Sequence, residues 1–159
     1  MENIDNLKLK ITEAIEERIQ DTDLFLVDIQ ISVTSRIGVF LDGKTEHITI
    51  KQCTDISRFL ENYLESNALV GEKYLLEVSS PGLDEPFKVT EQYVKWLNKP
   101  VEVLLLSGIK EIGELKAFDE NSVTIEVAEQ KKKKEIIPAE QKTFANADIK
   151  YTRKHFVFK

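Results

Sequence analysis

The sequence predicts an α+β chain: an N-terminal two-layer α/β domain, with two helices on a small mixed sheet, followed by a small C-terminal β-barrel. Three observations carry this reading. Residues 5–20 and 52–66 space their apolar side chains as one face of a helix does, with strand-like runs between and after them. From residue 101 to residue 158, five short strand-like runs follow one another with turn residues in between. The charge also breaks mid-chain: residues 1–84 hold 8 Lys and Arg against 16 Asp and Glu, and residues 85–159 hold 14 against 12. The domains are therefore placed at 1–84 and 85–159, with a joint at about 81–89 that is too short to tether them freely.

The first helix, 5–20, carries Leu7, Ile11, Ala14, Ile15 and Ile19 on one face and charges on the other. Residues 24–33 alternate in their second half, with Val27, Ile29, Ile31 and Val33 on one side and Asp28, Gln30 and Ser32 on the other, as in a strand with one wet face. Residues 36–42 read as the return strand, Asp42-Gly43 as a turn, and HITI (47–50) as a third extended piece. The second helix, 52–66, buries Cys53, Ile56, Phe59, Leu60, Tyr63 and Leu64, with Lys51 or Thr54 near its start and Asn67 near its end. KYLLEV (73–78) is the near-continuous apolar run of a central strand.

A stiff corner follows. Ser79 and Ser80 cap that strand, and Pro81 and Gly82 stand where a type II turn takes proline and glycine. Residues 90–98 form a short helical turn around Tyr93, Val94, Trp96 and Leu97, stopped by Pro100. The barrel strands are expected at 101–106, 112–118, 122–128, 135–138 and 149–158, with Lys131–Lys134 at a hairpin tip.

Catalysis finds no support in these residues. Ser79 and Ser80 need a base to act as nucleophiles, only His47 and His155 are on offer, and SSPG is not a G-x-S-x-G elbow. The 6 glycines form no phosphate-binding motif. One cysteine and 2 separated histidines make no metal site, and Cys53, on an apolar helix face, reads as a small core residue. Glu16-Glu17 belongs to a solvated helix face. No catalytic residue, metal or cofactor is expected. The single cysteine excludes an internal disulfide and fits a reducing cytoplasm. No run of about 18 apolar residues is present to span a membrane, and the polar start MENIDNLKLK has no signal-peptide core.

Binding remains. The acidic first half suits a basic protein partner better than nucleic acid, or serves solubility alone. The last strand interleaves Lys150, Arg153, Lys154 and Lys159 with Tyr151, Phe156 and Phe158, a pattern that either contacts RNA or places the aromatics inside the barrel; the latter is the expectation for the aromatics. Lys131, Lys132, Lys133, Lys134, Arg153 and Lys154 are the candidate RNA contacts.

YLLEVSSPGLDEPFK (74–88) resembles the signature of the ribosome maturation factor RimP family, E-V-S-S-P-G-L-D-x-P, matched without a gap from Glu77 to Asp84 and again at Pro86. ITIKQCTDISRFLENYL (48–64), with Cys53 and Ser57, resembles the family's second-helix segment, and DIKYTRKHFVF (148–158) its closing strand. The chain departs from the family pattern at Glu85, where arginine is usual, and at Lys51-Gln52, where an acidic pair is usual. The resemblance implies an α/β two-layer domain followed by an SH3-like barrel. It implies a non-enzymatic cytoplasmic factor that binds the immature small (30S) ribosomal subunit and helps a basic ribosomal protein join it. 16S rRNA is a further candidate partner, no membrane is involved, and a monomer is the default. The segment Ser79, Ser80, Pro81, Gly82, Leu83 and Asp84 is then the interdomain joint, with Leu83 as an apolar contact. A stand-alone Sm-like RNA-binding module is the alternative, disfavoured by a balance of only +2 over residues 85–159.

Overall fold

A computed structural model describes residues 3–156 of the chain. Phe158 and Lys159, read above as part of the last strand, lie outside the described residues. The chain divides into two compact units, Met1–Pro81 and Gly82–Lys159.

The first unit runs α1 (Ile4–Ile19), β1 (Leu24–Ile31), β2 (Arg36–Gly43), α2 (Ile50–Ser66) and β3 (Leu75–Ser79). The Asn3 side chain caps α1 by accepting from the Asp5 amide at 2.8 Å. Its expected stripe, Leu7, Ile11, Ala14, Ile15 and Ile19, is buried. β1 and β2 form an antiparallel hairpin, and β3 joins β2 in parallel, giving the order β1-β2-β3. A parallel neighbour needs a long crossover, and α2 supplies it. Leu60 and Leu64 of α2 are fully buried against Leu7, Ile11 and Ile15 of α1 and Ile37, Val39 and Leu41 of β2 in one apolar cluster.

The first unit departs from the sequence-based expectation at four places. The alternation of β1 stops at Ile31, because Ser32–Ser35 make the hairpin turn, with Ser35 at φ 63°, and Val33 stands exposed in it. HITI is no strand: Thr49 is the N-cap of α2 and Ile50 its first residue. Thr49, rather than Lys51 or Thr54, closes the helix end, its hydroxyl accepting from the Gln52 amide at 3.1 Å while the Gln52 side chain accepts from the Thr49 amide at 2.9 Å. And β3 is an edge strand, not a central one; its apolar run packs Leu76 and Val78 only partly against the core.

The second unit runs α3 (Thr90–Lys95), β4 (Pro100–Leu105), β5 (Lys110–Phe118), β6 (Ser122–Val127), β7 (Gln130–Lys132), β8 (Glu135–Ile137), β9 (Glu140–Ala145), a 3-10 turn (Asn146–Asp148) and β10 (Ile149–Lys154). Five strands pair in the antiparallel order β10-β4-β5-β6-β9, and β7-β8 is a separate two-stranded ribbon. No ladder joins β9 to β10 among the described residues, so the element observed is an open five-stranded sheet. Register shifts at Leu115/Ala117 and Ile149/Tyr151 bend it. At Gly113 the β6 backbone comes so close that a Cβ would sit 2.5 Å from the Glu126 carbonyl oxygen. Val101, Val103, Leu115, Val123, Ile125 and Phe87 form the core.

Here too expectation and structure differ. The run at 135–138 belongs to the ribbon, and the fourth strand of the sheet is β9. α3 ends at Lys95, and Pro100 opens β4 rather than stopping the helix. Tyr151 and Phe156 are not core residues; the inward positions near the chain's end are Ile149 and the buried Thr152.

Candidate functional site

The segment 75–88 starts as β3, with Ser79 paired to Phe40 at its last rung. The Glu85 amide then donates to the Gly82 carbonyl at 3.1 Å, so the turn spans Gly82–Glu85 with Leu83 and Asp84 at its centre. This corrects the expected type II turn at Pro81-Gly82. Gly82 does not take the positive φ such a turn requires, and a Cβ there meets only the Glu85 Cγ at 3.4 Å. The corner's stiffness therefore rests on Pro81 and Pro86, whose rings fix φ. Leu83 is 62% exposed. Beyond the corner, the Phe87 amide donates to the Thr152 carbonyl at 2.7 Å and its ring meets Tyr93 edge-on at 4.9 Å. The amides of Lys88 and Val89 donate to the buried Gln92 Oε1 at 2.6 and 3.1 Å.

Within the first unit, an open groove of about 900 Å³ runs between α2 and β3. Cys53, Thr54, Ser57 and Arg58 line one wall, and six consecutive residues, Leu75–Ser80, line the other. Its end is formed by His47–Thr49, in a loop folded over Asp23 and Asp42, and by Ile50 at the start of α2. Asp23 accepts from the Thr45 and Glu46 amides, and the buried Asp42 from the Ile48 amide at 3.2 Å. His47 Nδ1 sits 3.3 Å from Asp42. Ser79 and Ser80 line the same groove as His47, yet no hydrogen bond joins them to it among the described residues. Burial pushes the Cys53 thiol up, away from the thiolate form. Among the described residues no group of three or more His, Cys, Asp or Glu is placed to hold a metal ion, and no helix is long and apolar enough to cross a membrane. The groove was not read from the sequence, because it exists only through the edge position of β3.

In the second unit, Glu102 of β4 is nearly buried beneath β10. Its carboxylate accepts from Arg153 Nε at 2.7 Å and the Tyr151 hydroxyl at 3.0 Å, with Lys110 at 3.5 Å. Burial alone would raise its pKa, but the Tyr151 and Arg153 hydrogen bonds and the charges of Arg153 and Lys110 hold it below the ordinary value. Arg153 is raised in turn, first by the Glu102 bond, and Asp84 adds to its field. Arg153 is thus committed to a carboxylate. Lys154 and Lys99 each lie 4.8 Å from the Trp96 ring, which also meets Phe156 at 6.1 Å. Nothing in the spacing of β4 marked Glu102.

Lys131, Lys133 and Lys134 are exposed on the β7–β8 ribbon, whose turn holds Lys133 at φ 55°; the side chain of Lys132 lies outside what is described. The ribbon brings these lysines together, apart from Arg153 and Lys154 on β10.

Residues 14–84 match a family model described as the RimP N-terminal domain. A protein of Cytophaga hutchinsonii named ribosome maturation factor RimP is 39% identical over 132 residues, which cover 80% of this chain and 77% of that protein.

Proposed function

The chain belongs to the RimP family, and we propose that it is a ribosome assembly factor that binds the immature small (30S) subunit and assists its maturation without catalysing a covalent step. The observation that carries this reading is the 39% identity to a ribosome maturation factor along most of both chains. The charge pattern supports it. The acidic residues 1–84 attract a basic small-subunit ribosomal protein, and the exposed lysines of the β7–β8 ribbon attract 16S rRNA. Of the two candidate cationic sites the ribbon is the stronger, since Arg153 already pairs with Glu102.

Residues 1–84 and 85–159 act as two domains, the second of the SH3-like kind, and Ser79–Asp84 is the joint between them. The joint acts through Pro81 and Pro86, and Leu83 offers its exposed side chain to the particle. The protein works as a monomer in the cytoplasm.

Sedimentation of cell extract through a gradient at moderate salt tests this. The chain should travel with free small subunits and their precursors and be missing from whole ribosomes. A chain that stays at the top of the gradient, or that follows whole ribosomes equally, overturns the reading.

A further inference from the structure

The groove between α2 and β3 is bounded by a sheet edge. Side chains of successive strand residues point to opposite faces, so a wall made by all of Leu75–Ser80 is the strand's rim, not one of its faces. The Leu75 amide donates to the Ser35 carbonyl at 2.9 Å, toward β2. That sets the phase of the ladder: Leu76 and Val78 turn their N–H and C=O to the free edge. Natural sheets blunt such edges with lysine, proline or bulges. Leu75–Ser79 is short and carries one charge, Glu77, but has no lysine, proline or bulge, and its register on Arg36–Phe40 is unbroken. Apolar side chains stand ready at the rim, with Ile50 87% and Leu75 59% exposed.

We propose that β3 receives a fourth strand: an extended, basic segment of a partner protein pairs along Leu76–Val78 in the groove beneath α2, a mode of recognition in which main-chain bonds give affinity and flanking pockets give specificity. The identity of the partner as a ribosomal protein rests on the assembly reading; the pairing does not. Charge selects the occupant. Glu61 and Glu77 line the groove against Arg58, in a half of the chain that holds 16 acidic and 8 basic residues.

The test uses the full chain labelled with ¹⁵N and two short peptides, one alternating valine with lysine and one alternating valine with glutamate. The lysine peptide should slow amide hydrogen exchange at Leu76 and Val78 by about tenfold or more, and the glutamate peptide should not. Val78→Pro removes an outward donor without touching the β2 ladder and should abolish the slowing at Leu76; Ser57→Lys places a cation in the helix wall and should abolish it at Leu76 and Val78 alike. The proposal is overturned if the lysine peptide has no effect at these amides, or if both peptides act alike. It is overturned too if the protection arises without peptide at high protein concentration, which would mean that two copies pair edge to edge. The titration contains no ribosomal material, so its failure leaves the assembly reading standing, and failure of the gradient experiment leaves this pairing measurable.

Discussion

Replacing Gly113 by alanine should destabilise the protein, and replacing Gly82 should not. At Gly113 the new Cβ lies 2.5 Å from the Glu126 carbonyl oxygen and 2.9 Å from its carbon. Both atoms belong to the backbone of β6, which must retreat by close to an ångström to restore ordinary contact. Overpacking of this kind costs about 1–3 kcal/mol. For a chain of this size each kcal/mol lowers the melting midpoint by about 2–4 °C, so Gly113→Ala should melt about 2–12 °C early. At Gly82 the Cβ meets only the flexible Glu85 Cγ at 3.4 Å, and at Gly71 it meets nothing within 4 Å; neither residue sits at positive φ. Gly82→Ala and Gly71→Ala should therefore lie within about 0.5 kcal/mol of the parent, or gain slightly from a stiffer unfolded chain. Urea and thermal unfolding followed by circular dichroism read all three. A Gly113→Ala variant as stable as the parent, or a Gly82→Ala variant less stable than Gly113→Ala, would refute the reasoning.

Glu102 titrates below its ordinary value of 4.5 in the folded chain, so its contribution is complete above that pH and is lost as the pH falls through the depressed value. Glu102→Gln should flatten the acid limb of stability, measured as urea midpoints between about pH 3 and pH 7; an acid limb as steep as the parent's would count against the Tyr151–Glu102–Arg153 cluster. The Tyr74 phenol is pushed up to about 12, first by burial and then by its bond to Glu65. Ultraviolet titration of Glu65→Ala, which removes both acceptor and charge, should show it ionising at a lower pH than in the parent while burial still holds it above 10; an unmoved curve would mean that Glu65 does not act on the phenol. Reversing Lys131, Lys133 and Lys134 to glutamate should weaken particle binding and flatten its salt dependence by about 0.7–0.9 log units for each phosphate left without its lysine. A variant that binds with the parent's slope would remove the ribbon from the interface.

What was legible in the sequence is what local pattern determines. The stripes of α1 and α2, the β1–β2 hairpin and the strands β4–β6 all announce themselves by periodicity. Strand order does not. The same apolar run that suggests a central strand is compatible with β3 at an edge, half covered by α2, and the groove follows from that placement alone. β9, EQKTFA, carries a single large apolar residue, Phe144, and leaves most of its side chains exposed, so no alternation marks it; the neighbouring EIIP run looked more strand-like and proved to be ribbon. The Ile149/Tyr151 irregularity shifts the phase of β10, which is why Tyr151 reaches Glu102 instead of the core. At the corner, Pro-Gly suggested a turn type that the backbone angle of Gly82 does not adopt.

The most direct measurement is the affinity of the purified chain for purified small-subunit precursors and for mature small subunits, side by side at one salt concentration. An assembly factor must leave the finished particle, so the precursor should bind at least about tenfold more tightly, a difference of about 1.4 kcal/mol. Equal affinity for the two particles, or binding to neither, would contradict the assignment.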